Sequence, residues 1–315
     1  MRGSAGNQFA GVQSGANGKS GQARTTSAGL ITVAEGLVFP EGPRWHGERL
    51  WVADLFARRV VTIDLDGTVE AVAELDDMPS GLGFLPDGTP IVVSMHKRQL
   101  LSISDQRLRL YADLGGIGGD FLNDMVVDAR GRAYVGRRFN KPALGWGSIS
   151  PEAIVLVDED QSIRVVAENL FGPNGTVITP DHRTLIVAES HAGRLTAFSI
   201  ADDGSLTDRR LFATVDGIPD GICLDADGAI WVGLSKFAAF VRVREGGEIA
   251  ERIELSGGRY AIACMLGGPG RLTLFLLTSI ADAENLSECF GSDRTCTARG
   301  FVEARPVEVP GVGLP

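Results

Sequence analysis

The chain has 315 residues, of which 44% are hydrophobic and 22% charged, with a net charge of −10; that is enough apolar material for a large core. The acidic balance excludes nucleic acid and anionic membrane as main partners. No apolar run approaches the roughly 18 residues of a membrane-spanning helix.

Residues 1–29 are rich in Gly, Ser, Ala, Asn and Gln and lack the apolar middle region of a secretory signal. They read as a flexible leader, with a vector-like Met1-Arg2-Gly3-Ser4 start, ahead of one domain over 30–315. The expected location is the cytoplasm. A unit then recurs along the chain. It first appears as Pro40-Glu41-Gly42-Pro43-Arg44-Trp45 followed by Leu50-Trp51-Val52-Ala53-Asp54, and next as Pro79-Ser80-Gly81-Leu82 with Ile91-Val92-Val93-Ser94. The third is Leu122-Asn123-Asp124-Met125 with Ala133-Tyr134-Val135-Gly136, and the fourth Pro173-Asn174-Gly175-Thr176 with Leu185-Ile186-Val187-Ala188. The fifth is Pro219-Asp220-Gly221-Ile222 with Ile230-Trp231-Val232-Gly233. The sixth, Tyr260-Ala261-Ile262-Ala263 with Thr273-Leu274-Phe275-Leu276, is weaker.

Each unit predicts a short strand, a turn at Asp-Gly or a similar pair, and a second strand rich in β-branched and aromatic residues. Further alternating segments, such as Val60-Val61-Thr62-Ile63 and Arg194-Leu195-Thr196-Ala197, complete about four strands per unit. Units of this kind at a period of about 40 to 50 residues are the signature of propeller blades. The expected fold is therefore all-β: a six-bladed β-propeller with four-stranded blades around a central channel. Trp51, Trp231 and Tyr134 are expected in the core, and Cys223 and Cys264 as buried thiols. Cys289 and Cys296 leave a loop disulfide open and have no metal-ligand spacing.

The first strand of each blade lines the channel, so equivalent residues ring the axis. The residue after the leading Pro or Leu gives the column Glu41, Ser80, Asn123, Asn174, Asp220 and Ala261, and four of these residues precede Gly. A column kept for structure alone favours small or apolar residues. This one holds two carboxylates and two amides, and converging buried anions are costly unless neutralised. One divalent cation does so. Hard oxygen donors suit Ca²⁺ above all, with Mg²⁺, Mn²⁺ or Zn²⁺ as alternatives. Taken singly, Asn, Asp or Ser before Gly is an ordinary turn former.

Glu41-Gly42-Pro43-Arg44-Trp45, Asn123-Asp124, Pro173-Asn174-Gly175 and Pro219-Asp220-Gly221 with Ala229-Ile230-Trp231-Val232 resemble the senescence marker protein/gluconolactonase/luciferin-regenerating enzyme family. The resemblance implies a propeller that opens lactones with one divalent metal held by Glu41, Asn174 and Asp220. It implies Asp220 as general base and Asn123 as a contact to substrate or bound water. Sugar-lactone members often carry Arg where this chain has Phe121, which points to a substrate less polar than a sugar lactone. Arg137 and His191 join Phe121 and Asn123 as candidate substrate contacts, with His96 a weaker candidate. The segment from Phe139 to Pro151, with Trp146, is expected to wall the pocket. Asp54 and Glu189 end second strands, either supporting the site or anchoring hairpins. Small lactones or esters are the expected partners; the sequence leaves the oligomeric state open. The alternatives are a phosphotriesterase-type propeller, a strictosidine-synthase-like enzyme and a non-catalytic binding propeller.

Overall fold

The computed structural model describes residues 29–139 and 152–313, except 257, 283–285, 287, 288 and 291–295. Turn pairs such as Asp87-Gly88, Asp203-Gly204 and Asp227-Gly228 reverse the chain. Their glycines adopt φ of 85°, 83° and 76°, a left-handed backbone that Gly carries without a Cβ clash. Among the described residues this chemistry yields twenty-four strands in six four-stranded antiparallel sheets. The first strand, β1 (Ile31–Leu37), lies outside the first blade. That blade runs β2 (Pro40–His46), β3 (Arg49–Asp54), β4 (Arg59–Ile63) and β5 (Val69–Glu74). Blade two is β6 (Pro79–Phe84), β7 (Pro90–Ser94), β8 (Gln99–Ser104) and β9 (Arg107–Asp113). Blade three is β10 (Phe121–Val127), β11 (Ala133–Arg138), β12 (Glu152–Val157) and β13 (Ile163–Leu170). Blade four is β14 (Pro173–Ile178), β15 (Thr184–Glu189), β16 (Arg194–Ile200) and β17 (Leu206–Thr214). Blade five is β18 (Ile218–Leu224), β19 (Ile230–Ser235), β20 (Ala239–Val243) and β21 (Ile249–Glu254).

Blade six draws on both ends of the chain. It consists of β22 (Arg259–Gly267), β23 (Thr273–Ile280), β24 (Arg299–Pro306) and, as its outer strand, β1. Ile31 pairs with Ala304 and Leu37 with Gly300. The inner strands β2, β6, β10, β14, β18 and β22 touch in ring order, and β22 returns to β2. The fold is a six-bladed β-propeller.

Neighbouring blades interlock through the two-residue strand period. In blade five, Cys223 and Trp231 pack against Cys264, Leu274 and Leu276 of blade six. Their chain neighbours Ile222 and Val232 face Ile186 and Ala188 of blade four. Trp231 and Tyr134 are each 1% exposed, and burying a side chain of this kind contributes about 1.5–3 kcal/mol. Trp51 is only partly covered. Cys223 and Cys264 are buried free thiols, while Cys289 and Cys296 are bonded to each other. Among the described residues no helix is long and apolar enough to cross a membrane.

The second-strand acids anchor the chain locally. Asp54 accepts the backbone N–H groups of Val38 and Phe39 at 2.9 and 3.0 Å and pairs with Arg59 at 2.9 Å. Glu189 accepts the Phe171 N–H at 2.9 Å and pairs with Arg194 at 2.9 Å and Arg209 at 3.2 Å.

Candidate active site

Every inner strand carries a register irregularity at the same level: between Glu41 and Arg44, Pro79 and Leu82, Leu122 and Met125, Pro173 and Thr176, Pro219 and Ile222, and Ala261 and Ala263. Bulges of this kind break the ladder and re-aim side chains. Here they fall on the column Glu41, Ser80, Asn123, Asn174, Asp220 and Ala261.

The column is joined by hydrogen bonds from blade to blade. Ser80 Oγ donates to Asn123 Oδ1 at 3.4 Å, and Asn123 Nδ2 donates to the Pro173 carbonyl at 3.2 Å. Asn174 Nδ2 donates to Asp220 Oδ1 at 2.5 Å and to Ser190 Oγ at 3.1 Å; Ser190 Oγ in turn donates to the Pro219 carbonyl at 2.7 Å. The Asn174 amide protons are thus spent, leaving its oxygen as the atom available to a cation.

The glycines beside the ring are there for blade-to-blade approach. A Cβ on Gly175 would stand 2.5 Å from the Ile222 nitrogen, and one on Gly221 would stand 2.3 Å from the Ala263 Cβ. In blade three this position is Asp124. Its carboxylate receives Arg44 Nη2 of blade one at 3.0 Å, and Arg44 Nη2 also reaches the Met125 carbonyl. Arg44 is 4% exposed and Asp124 7%. A buried ion pair therefore spans from blade one to blade three one step beyond the ring.

Burial raises the Glu41 carboxyl well above the usual range, and repulsion from Asp220 and then Asp124 adds to it. The Asp220 carboxyl is raised as well, mainly by burial, although Arg138, Asn174 and the Ser235 hydroxyl oppose the rise. Two neighbouring carboxyls that resist ionisation lack sufficient positive charge, and a divalent cation would supply it. Among the described residues no three His, Cys, Asp or Glu side chains form a ready ligand cluster. The candidate donor set is instead Glu41 and Asp220 completed by amide oxygen, a hard-oxygen set that fits such a cation.

The family model described as SMP-30/Gluconolactonase/LRE-like region matches residues 39–280. This chain belongs to that family. Its SMP-30/gluconolactonase relatives include the 6-deoxy-6-sulfogluconolactonase of Pseudomonas putida, 25% identical over 90% of this chain and 96% of the relative. The pentonolactonase of Haloferax volcanii is 23% identical over 86% of this chain and 91% of its own length. Two solved structures share the fold. The calcium-binding regucalcin of Agrobacterium tumefaciens has a TM-score of 0.72 at 20% identity, over 89% of this chain and 93% of that one. The gluconolactonase of Xanthomonas campestris has a TM-score of 0.68 at 24% identity, over 90% and 92%. The family is one of lactonase-type propellers.

Within this SMP-30/gluconolactonase site the sequence candidates divide. Arg137 does not join the ring: its Nη1 donates to the Ile117 carbonyl at 2.9 Å, and its guanidinium lies over Phe139. The next residue, Arg138, lies within electrostatic reach of the ring, and its charge opposes the rise of both the Glu41 and the Asp220 carboxyl. It pairs directly across the ladder with Phe121. Arg138 Nη2 donates to His191 Nε2 at 3.1 Å; a guanidinium has no acceptor, so this His191 nitrogen is unprotonated. Desolvation, then the Arg138 charge, lowers the His191 pKa to about 4. His96 pairs instead with Asp77 at 3.2 Å. Trp146 and residues 140–151 lie outside the described residues. Arg138, Asp124 and Arg44 were not singled out from sequence. Asp124 carried a signal, as the lone charged residue in a column of glycines and one Ile.

Proposed function

We propose that this chain is a cytoplasmic, divalent-cation-dependent lactonase that opens a small cyclic ester by attack of water. The observation that carries the reading is the blade-to-blade joining of Asn123, Asn174 and Asp220, with the Glu41 carboxyl close enough to Asp220 to be repelled by it. Glu41, Asn174 and Asp220 would hold the cation, with Ca²⁺ foremost. When bound, such a cation polarises an ester carbonyl and offsets negative charge developing on its oxygen.

The chain's own groups do the rest. Asp220, oriented by the Asn174 amide, takes the proton from the attacking water. Glu41 brings the second negative charge. Asn123, fixed between Ser80 and the Pro173 carbonyl, orients the substrate. Phe121 offers an apolar wall, which favours a substrate with fewer hydroxyls than a sugar lactone. His191 stands beside Arg138 at the rim.

The test combines a lactone panel with chelation. Turnover should vanish in excess chelator and return with Ca²⁺. Glu41→Gln and Asp220→Ala should each lose cation binding by calorimetry together with activity. Full lactone turnover after chelation, or undiminished cation binding in both variants, would sink this mechanism.

A further inference from the structure

Arg138 has more hydrogen-bonding capacity than its surroundings use. Its side chain is 15% exposed. Nη2 donates to His191, whose ring accepts that bond as a neutral imidazole and supplies no counter-charge. Nε is buried on the Glu152 side, out of a ligand's reach; among the described residues no hydrogen bond engages Nη1, so Nη1 and the second N–H of Nη2 are the donors left for a ligand. The Glu152 carboxylate lies 3.8 Å from Nε and supplies a counter-charge on that side, beyond hydrogen-bond distance, while its two oxygens accept the backbone N–H groups of Phe139 at 3.0 Å and Gly172 at 2.6 Å. The guanidinium carbon stands 5.5 Å from the centroid of the Phe121 ring, directly across the ladder. The guanidinium thus covers part of one face of the Phe121 ring, and the remaining ring surface lies beside its N–H donors, on the blade that also carries Asn123.

A guanidinium recognises a carboxylate through two parallel charge-assisted hydrogen bonds, and a phenyl face takes an apolar or conjugated ring. We infer that Arg138 and Phe121 form a subsite for an anionic substituent, so that the preferred lactone carries a carboxylate beside a ring poor in hydroxyls. Arg138 is thereby a specificity-determining residue. The inference rests on the lactonase reading for the identity of the substrate, but its subsite can be tested without turnover.

The binding probe is 3-oxocyclopentane-1-carboxylate, which has a ring carbonyl and a carboxylate but no ester, compared with cyclopentanone by calorimetry. The wild-type chain should bind the carboxylate at least about tenfold more tightly than the ketone. Arg138→Met should erase that preference, and Arg138→Lys should restore part of it. Turnover is then compared between 5-oxotetrahydrofuran-2-carboxylate and γ-valerolactone. The wild type should prefer the carboxylated lactone, and Arg138→Met should collapse the preference through KM. Equal binding of the probe by wild type and Arg138→Met, or no binding by wild type, overturns the subsite. Carboxylate-selective binding without turnover of any lactone would uphold the subsite and defeat the lactonase reading. Turnover without carboxylate preference would do the reverse.

Discussion

The Arg44–Asp124 pair permits a quantitative test of what fixes the inner strands. Arg44→Met keeps the length of the aliphatic stem but removes the guanidinium. Asp124, 7% exposed, is then left as a buried carboxylate within electrostatic reach of Glu41 and Asp220. Breaking a buried pair from one side costs about 3–5 kcal/mol. In a domain of this size that corresponds to a fall in Tm of roughly 10 °C. Burial already raises the Asp124 carboxyl, with Arg44 opposing the rise, so losing Arg44 raises it further. The folded variant then binds more protons than the unfolded chain. Its stability falls as pH climbs from the ordinary carboxylate range through the raised folded value. The deficit of Arg44→Met, measured by calorimetric melting in chelator, should therefore be larger at pH 8 than at pH 5. Arg44→Met/Asp124→Leu removes both charges and should recover most of the loss, because an apolar replacement of a buried pair is often neutral. A single variant within about 1 kcal/mol of wild type at both pH values, or a double variant no more stable than the single, would refute this account.

Gly221→Ala should destabilise the chain by about 1–3 kcal/mol in urea titration, because the added methyl meets the Ala263 Cβ at 2.3 Å. An unchanged midpoint would mean that blades five and six can part at no cost. Glu189→Gln should cost about 3 kcal/mol, since Glu189 is fully buried and holds Arg194, Arg209 and the Phe171 N–H. Its KM for any lactone turned over should stay within about twofold of wild type, a change below 0.5 kcal/mol; a larger shift would make Glu189 a support of the site rather than of the blade.

The fold was legible because propeller blades repeat their turn chemistry. Asp-Gly pairs and a Pro-x-Gly opening recur in step with the strands, so the period and the ring column follow from alignment alone. The partner of Ile31 could not be read this way. Pairing β1 with β24 joins residues from opposite ends of the chain, and neither local sequence announces the other. The choice of Arg138 over Arg137 was hidden for a different reason. The two are consecutive on β11, so strand alternation sends Arg137 towards Ile117 and Arg138 towards His191 and Glu152, and the sequence does not say which of those faces borders the ring. Asp124 was open to view and its partner was not. A carboxylate in a glycine column signals an unusual contact, but only the closed ring brings Arg44 across to meet it.

The shared blade also sets an order of events at birth. Of the propeller strands, β1 is made before all the others, yet β24, its partner, comes after all of them. Blades one to five can each complete while synthesis continues, whereas β1 must wait as an unpaired edge. Two details suit that wait. β1 carries Glu35, and charge on a free edge discourages pairing with another chain. The short link behind it is held from both sides once the ring shuts, by Asp54 on the Val38 and Phe39 N–H groups and by Ser279 on the Val38 carbonyl. The propeller strand made earliest thus waits for the one made latest, and the pairing that completes blade six is of high contact order.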